Sequence, residues 1–204
     1  MTERMGELLL IRHGETTWSA RRRHTSYTDL ALTPDGERQA RALGPMLTGR
    51  RFAAVLTSPC ARAVRTAQLA GLTPTGTDND LAEWNYGEVE GRTTAEVRAE
   101  QPGWNLWTDG CPGGESPSQV GERLDRLLAR LGPVLDHGTV ALVGHAHSLR
   151  VLTARWLGLP PSAGALFRLE TATVSLLGHE HGRQVILRWN QPVPSAATAQ
   201  TPRH

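Results

Sequence analysis

The sequence predicts an α/β protein, with helices on both faces of a mostly parallel mixed sheet. Two apolar runs, Leu8-Leu9-Leu10-Ile11 and Val140-Ala141-Leu142-Val143, are continuous rather than alternating, the pattern of strands buried on both faces. Three helix starts are punctuated alike: Thr33-Pro34, Ser58-Pro59 and Ser116-Pro117 each set a capping hydroxyl before a first-turn proline. Strand-like and helical segments alternate along the chain, as in sheets with helical crossovers.

The elements follow in order. Leu8 to Arg12 is the first strand, and polar Thr16 to Leu32 reads as a loop over its end. Thr33 caps a helix toward Leu47, Phe52 to Thr57 forms a second strand, and Ser58 caps a helix that stops at Gly71. A short third strand is expected at 73–77 and a short helix at Thr94 to Glu100, within a tryptophan-rich stretch from Leu81 to Glu115. Gln119 completes a capping box with Ser116, and Val120, Leu124, Leu127, Leu128 and Leu131 then share one helical face. Strand 139–143 ends in Gly144-His145, a helix is expected from about Ser148 to Leu157, and strands near 172–177 and 184–189 close the sheet.

A length of 204 residues fits one domain, expected over residues 1–190, with a flexible tail at 191–204 rich in Pro, Ala, Thr and Gln. All 22 basic residues are arginine and the net charge is only +2, which argues against a nucleic-acid partner. No run approaches the about 20 apolar residues of a membrane span. The first strand begins too early to leave room for a secretory leader, and Cys60 and Cys111 make no disulfide framework, so a cytoplasmic location is expected. Cys60 reads as a buried, inert thiol, because no arginine follows it at the spacing of a cysteine phosphatase loop.

Ligands of open α/β sheets sit beyond the carboxyl ends of the strands. Two strands that deliver His13 and His145 to that edge, one with Arg12 attached, suggest a nucleophile beside an anion site. Neutral imidazole can attack phosphorus, and arginine offers a fixed fork of donors to phosphate. Arg62 lies in the first turn of the helix after the second strand, where the helix dipole also favours an anion. Glu83, beside Trp84, is a candidate acid whose aromatic neighbours are expected to keep it protonated.

In that order, Arg12-His13-Gly14-Glu15-Thr16, Thr33-Pro34-Asp35-Gly36-Glu37-Arg38, Ser58-Pro59-Cys60-Ala61-Arg62, Glu83-Trp84-Asn85-Tyr86-Gly87 and Gly144-His145 resemble the histidine phosphatase superfamily, phosphoglycerate-mutase-like branch. The resemblance spans residues 8 to 190 and implies that family's three-layer α/β/α sandwich. It implies a metal-independent phosphomonoester hydrolase, with no cofactor, acting on a small phosphorylated metabolite. His13 would become the phosphohistidine, Arg12, Arg62 and His145 would hold the phosphoryl oxygens, and Glu83 would protonate the leaving group. Segments 18–29, 83–91, 107–116 and 145–150 are similar to two subgroups, an actinobacterial acid phosphatase and the fungal sedoheptulose-1,7-bisphosphatase. In the second, a tyrosine replaces His24 and glycines usually replace Ser26 and Ala146. Ser19, His24, Thr25, Ser26, Tyr86, the Ala146 backbone N–H, His147 and Arg150 are the expected substrate or phosphate contacts, Arg150 for a second phosphate or carboxylate.

Three other readings compete. A phosphoglycerate-type phosphomutase uses the same phosphohistidine, but glycolytic members carry a longer insertion than the stretch from Glu83 to His145 provides. A metal site built from His13, His24, His145 and His147 would place a cation against Arg12 and Arg62. An inactive binding module on the same fold conflicts with the presence of every core residue. A homodimer is compatible with the Trp and Leu residues expected at the sheet edge.

Overall fold

The computed structural model describes residues 6–193. Strand β1 (Leu8–Arg12) and strand β4 (Val140–Gly144) lie side by side in parallel, with Leu8 opposite Val140 and Arg12 opposite Gly144. Strand β2 (Ala54–Thr57) flanks β4 in parallel, and the two-residue β3 (Gly76–Thr77) flanks β2. On the other side, β5 (Val174–Glu180) runs antiparallel to β1, and β6 (Arg183–Gln191) closes the mixed sheet in the order β3-β2-β4-β1-β5-β6. The β5–β6 turn puts His181 and Gly182 at φ +50° and +76°, the pair of positive angles that a type I′ hairpin needs.

The unbroken apolar runs of β1 and β4 are explained by two cores. Leu8, Leu10, Val140 and Leu142 pack into one core with helix α7 (Pro117–Leu135) and helix α8 (Ala146–Trp156). Leu9, Ile11, Ala141 and Val143 pack into the other with Ala63 and Ala67 of helix α4 (Ala61–Leu69) and with Leu43 and Leu47. All eight strand residues are fully buried, so the sheet is the middle layer of a three-layer α/β/α sandwich.

Several boundaries differ from the sequence expectation for identifiable reasons. The helix expected to reach Leu47 splits into α2 (Pro34–Ala42) and α3 (Gly44–Leu47), because Pro45 has no N–H to donate and its ring crowds the preceding turn. Ser58 is not the cap of α4. That helix starts at Ala61, whose N–H is taken by the Asp29 carboxylate at 3.0 and 3.1 Å. The helix after His145 begins at Ala146, two residues earlier than expected. Within the expected loop, Thr16 and Ser19 form a capping box around a one-turn helix, α1 (Thr17–Ala20). Helices α5 (Thr94–Glu100) and α6 (Leu106–Asp109) occupy the tryptophan-rich segment. Strand β6 runs to Gln191, one residue into the expected tail. The rest of that tail from residue 194 lies outside the described residues. No helix among the described residues is long and apolar enough to cross a membrane.

Candidate active site

A cavity of about 630 Å³ opens beyond the carboxyl ends of β1 and β4. Arg12, His13, Glu83, Ala146 and His147 face it, together with Ser19, His24, Thr25, Tyr86 and Arg150. Two glycine contacts fix the backbone beneath. Gly14 and Gly36 pack main chain against main chain, so a Cβ on either would collide with a carbonyl, which ties the β1 end to α2. Gly87 at φ +50° is wedged against Pro112, Gly113 and Gly114 and holds the loop that carries Glu83.

His13 is oriented by its own chain. Its Nδ1 lies 2.7 Å from the Gly14 carbonyl, which can only accept, so the ring proton sits on Nδ1. Among the described residues Nε2 has no partner, and it is not sealed off by protein, so its lone pair is open to the cavity. Burial, with the Arg12 and Arg62 charges adding to it, holds the imidazole well below the usual histidine range. His13 is therefore a free base at neutral pH.

Arg12 donates Nη1 to the Leu169 carbonyl at 2.6 Å, while Nη2 has no protein partner and is accessible. Its buried Nε is also unpartnered. Leu169 reaches this position because β5 runs antiparallel to β1, which brings the segment before β5 to the β1 end. The same segment contains Ala172 at φ +49°, whose N–H is shared by the carbonyls of Arg12 and His13.

Glu83 is met by donors. Its carboxylate accepts backbone N–H bonds from Trp84 at 2.8 Å, His147 at 3.0 Å and Ser148 at 2.8 Å, the last two from the first turn of α8. The aromatic surroundings expected around this residue are present in Trp84 and Tyr86, but polar N–H groups hold the carboxylate in place. Arg123, a residue the sequence analysis missed, anchors the loop from below. It pairs with Glu115 at 2.7 and 3.1 Å and donates to the carbonyls of Asp80, Ala82 and Glu83. Its signal was an arginine three residues after Val120 and one before Leu124, on the apolar face of α7. Arg123→Met is expected to cost about 3–5 kcal/mol, because it leaves a largely buried carboxylate and three carbonyls unpaired. Urea denaturation measures this; a loss below about 1 kcal/mol would reduce the pair to a surface contact.

Arg62 and His145 are fully buried and stand one layer behind the cavity wall, not on it. Arg62 donates Nε to His145 Nδ1 at 3.3 Å and its remaining groups to the carbonyls of Thr25, Ser26 and Thr28. Arginine cannot accept, so His145 carries its proton on Nε2 and donates it to the Ser58 hydroxyl at 2.7 Å. Burial and the Arg62 charge hold His145 well below the usual histidine range, and its ring lies edge-on to His13 at 5.1 Å. The anion-binding helix end expected at Arg62 is occupied by Asp29, whereas Ala146 at the head of α8 lines the cavity.

The expected substrate contacts divide. Ser26 lies beneath the wall, because its N–H and hydroxyl are bound by Glu90 at 2.6–2.9 Å. Ser19 and Thr25 reach the cavity with hydroxyls engaged by Thr16 and by the Arg23 carbonyl. His24 packs on Tyr86 at 4.7 Å, and burial lowers it to about 4. Arg150 lies 4.4 Å over the Trp107 ring and donates to the carbonyls of Gly164 and Ala165. Burial pulls its guanidinium down to about 10, still charged at neutral pH. Arg22, Arg168 and Thr171 also line the cavity and were not anticipated, since only the sheet order brings residues 168–171 there.

Among the described residues no group of three or more His, Cys, Asp or Glu side chains converges. Cys60 is half-buried rather than fully buried, with its sulfur 3.9 Å from the Ser26 carbonyl.

A strand-end histidine flanked by an arginine thus has a second histidine behind it and a loop carboxylate held against the first turn of α8. The chain belongs to the histidine phosphatase superfamily, branch 1, whose family model matches residues 8–192. It is 42% identical over 175 residues to an acid phosphatase of Mycobacterium tuberculosis, covering 85% of this chain and 86% of that protein. It is 35% identical over 187 residues to the sedoheptulose 1,7-bisphosphatase of Saccharomyces cerevisiae, covering 74% and 67% respectively. The solved structure of a Mycobacterium tuberculosis open reading frame superposes with a TM-score of 0.90 at 39% identity, covering 94% of this chain and all of that one. The protein is thus a histidine phosphatase, a hydrolase of phosphoric monoesters with the phosphoglycerate-mutase-like fold.

Proposed function

We propose that the protein hydrolyses phosphomonoesters of small metabolites in two displacements through a phosphohistidine on His13. The observation that carries this reading is the His13 tautomer: Nδ1–H is spent on the Gly14 carbonyl, which leaves the Nε2 lone pair in the cavity. In the first step Nε2 attacks phosphorus, the ester P–O bond breaks, and Glu83 gives a proton to the leaving oxygen. In the second, Glu83 takes a proton from water, which attacks the phosphohistidine and returns His13 with free phosphate. Arg12 Nη2 and the Ala146 N–H bind the phosphoryl oxygens, and the Arg62–His145 pair supports His13 from behind. Arg150, a charge with no carboxylate partner among the described residues, takes a second anionic group of the substrate.

Because protein side chains supply nucleophile, cations and acid, turnover of p-nitrophenyl phosphate is expected to survive EDTA and to be blocked by vanadate. Loss in EDTA with recovery on adding a divalent metal would overturn the reading. Glu83→Gln is expected to lower kcat about 10²–10⁴-fold. The depressed His13 places the acid limb of kcat/KM well below 6.5, since the ring attacks only when neutral and loses that form as the pH falls through its native value. A profile flat from about pH 4 to pH 9 would count against these roles. A screen of phosphorylated metabolites ranked by kcat/KM identifies the substrate.

A further inference from the structure

The cavity wall carries a second oriented imidazole that the two displacements leave unused. His147 Nδ1 lies 2.6 Å from the Tyr86 hydroxyl. One of the two groups must donate. Tyr86 is 2% exposed, and among the described residues its hydroxyl has no other partner. If His147 donated, the phenol proton of this 2% exposed side chain would have no acceptor among the described residues, which costs about 1–3 kcal/mol. The phenol therefore donates to Nδ1, and the ring proton of His147 sits on Nε2. Both groups stay neutral near pH 7, because burial raises Tyr86 well above the usual phenol range and lowers His147 well below the usual histidine range.

The Nε2–H has no protein partner among the described residues and is not sealed from solvent, and His147 lines the cavity. Its ring neighbours are Tyr86 at 5.8 Å, Trp107 at 5.2 Å and His24 at 6.1 Å, whereas the ring neighbour of His13 is His145. The free N–H thus sits on the aromatic wall that also carries Arg150, in the same cavity as His13.

Resting on the phosphatase reading, we propose that His147 is a specificity-determining residue. Its Nε2–H donates to a hydroxyl oxygen of the substrate's leaving group, and Tyr86 is the positioning residue that fixes the donating tautomer. The favoured substrates are polyol or sugar phosphates, with a hydroxyl near the phosphoester. A neutral donor suits such an oxygen, while Arg150 attends to charge. An enzyme that lacks this donor loses preference for hydroxylated esters, because the bond is made to the group that distinguishes them.

The test has two readouts. In the wild-type protein, ¹⁵N-resolved NMR of the histidine side chains should show His147 with a protonated Nε2 and an unprotonated Nδ1, and Tyr86→Phe should yield a mixture of tautomers. In kinetics, the ratio of kcat/KM for glycerol 1-phosphate to that for p-nitrophenyl phosphate should fall about tenfold or more in His147→Leu. His147→Gln, whose amide N–H₂ reaches the Nε2 position, should recover part of the ratio. A wild-type His147 protonated on Nδ1, or a ratio unchanged in His147→Leu, overturns the proposal. If the leucine variant does not fold, the wild-type spectrum and the Tyr86→Phe ratio decide instead. Failure of the phosphatase mechanism looks different, since no labelled phosphate would be trapped on His13 whatever the tautomer of His147.

Discussion

His13→Ala is expected to lower kcat for p-nitrophenyl phosphate by at least about 10⁴-fold and to abolish trapping of labelled phosphate on the protein. Among the described residues the other histidines near the cavity are already engaged, His24 Nε2 lying 3.4 Å from the Thr94 hydroxyl. The ring nitrogens of His145 are taken by Arg62 and Ser58, and His147 presents an N–H rather than a lone pair. The effect on stability should be modest by comparison, because the ring is near the cavity and its one hydrogen bond is to the neighbouring carbonyl. Rapid acid quench after mixing with labelled substrate, followed by gel filtration, measures the trapped phosphate. Full turnover in the alanine variant would remove the phosphohistidine from the mechanism.

The second large effect is on stability in acid. Four imidazoles, His13, His24, His145 and His147, are held below the ordinary histidine value of about 6.5 chiefly by burial. Unfolded chains take up these protons near 6.5, while the native protein does not, so stability is complete above 6.5 and falls as the pH drops below it. For His24 the loss ends near 4, and for the other three it likewise runs from 6.5 down to their depressed native values. Each histidine contributes a limiting slope of about 1.4 kcal/mol per pH unit, and four together act against a typical total stability of about 5–15 kcal/mol. Urea midpoints at pH 7.5, 6 and 5 should therefore descend steeply, with the largest drop between the last two. Constant midpoints would mean that the rings accept protons in the native state. The burial that keeps His13 a free base for attack is thus the same burial that makes the fold acid-sensitive.

Local signals carried much of this structure. Continuous apolar runs identified β1 and β4 because a strand covered by helices on both faces has no polar side. The capping box at Ser116 and Gln119 gave the start of α7, since its bonds span only three residues. The signal at Ser58 misled for an equally local reason: the hydroxyl faced a stronger partner, His145, from a strand far away in sequence, and α4 was capped by Asp29 instead. Pro45 was present in the sequence as a helix breaker, and its backbone cost, more than the apolar pattern around it, ended α2.

The same division runs through the site. The sequence by itself determined the two strand-end histidines, the arginines beside them, the acidic loop and the α/β architecture, because side-chain chemistry and short-range periodicity are written in neighbouring residues. Tertiary structure alone decided which of those groups face the cavity. It set Arg62 and His145 behind the wall and Ser26 beneath it, made Arg123 the anchor of Glu83, and brought residues 168–171 to the end of β1. It also decided the tautomers, since a ring proton goes wherever a fixed acceptor lies: the Gly14 carbonyl for His13, the Ser58 hydroxyl for His145 and, because Tyr86 donates, the open side of His147.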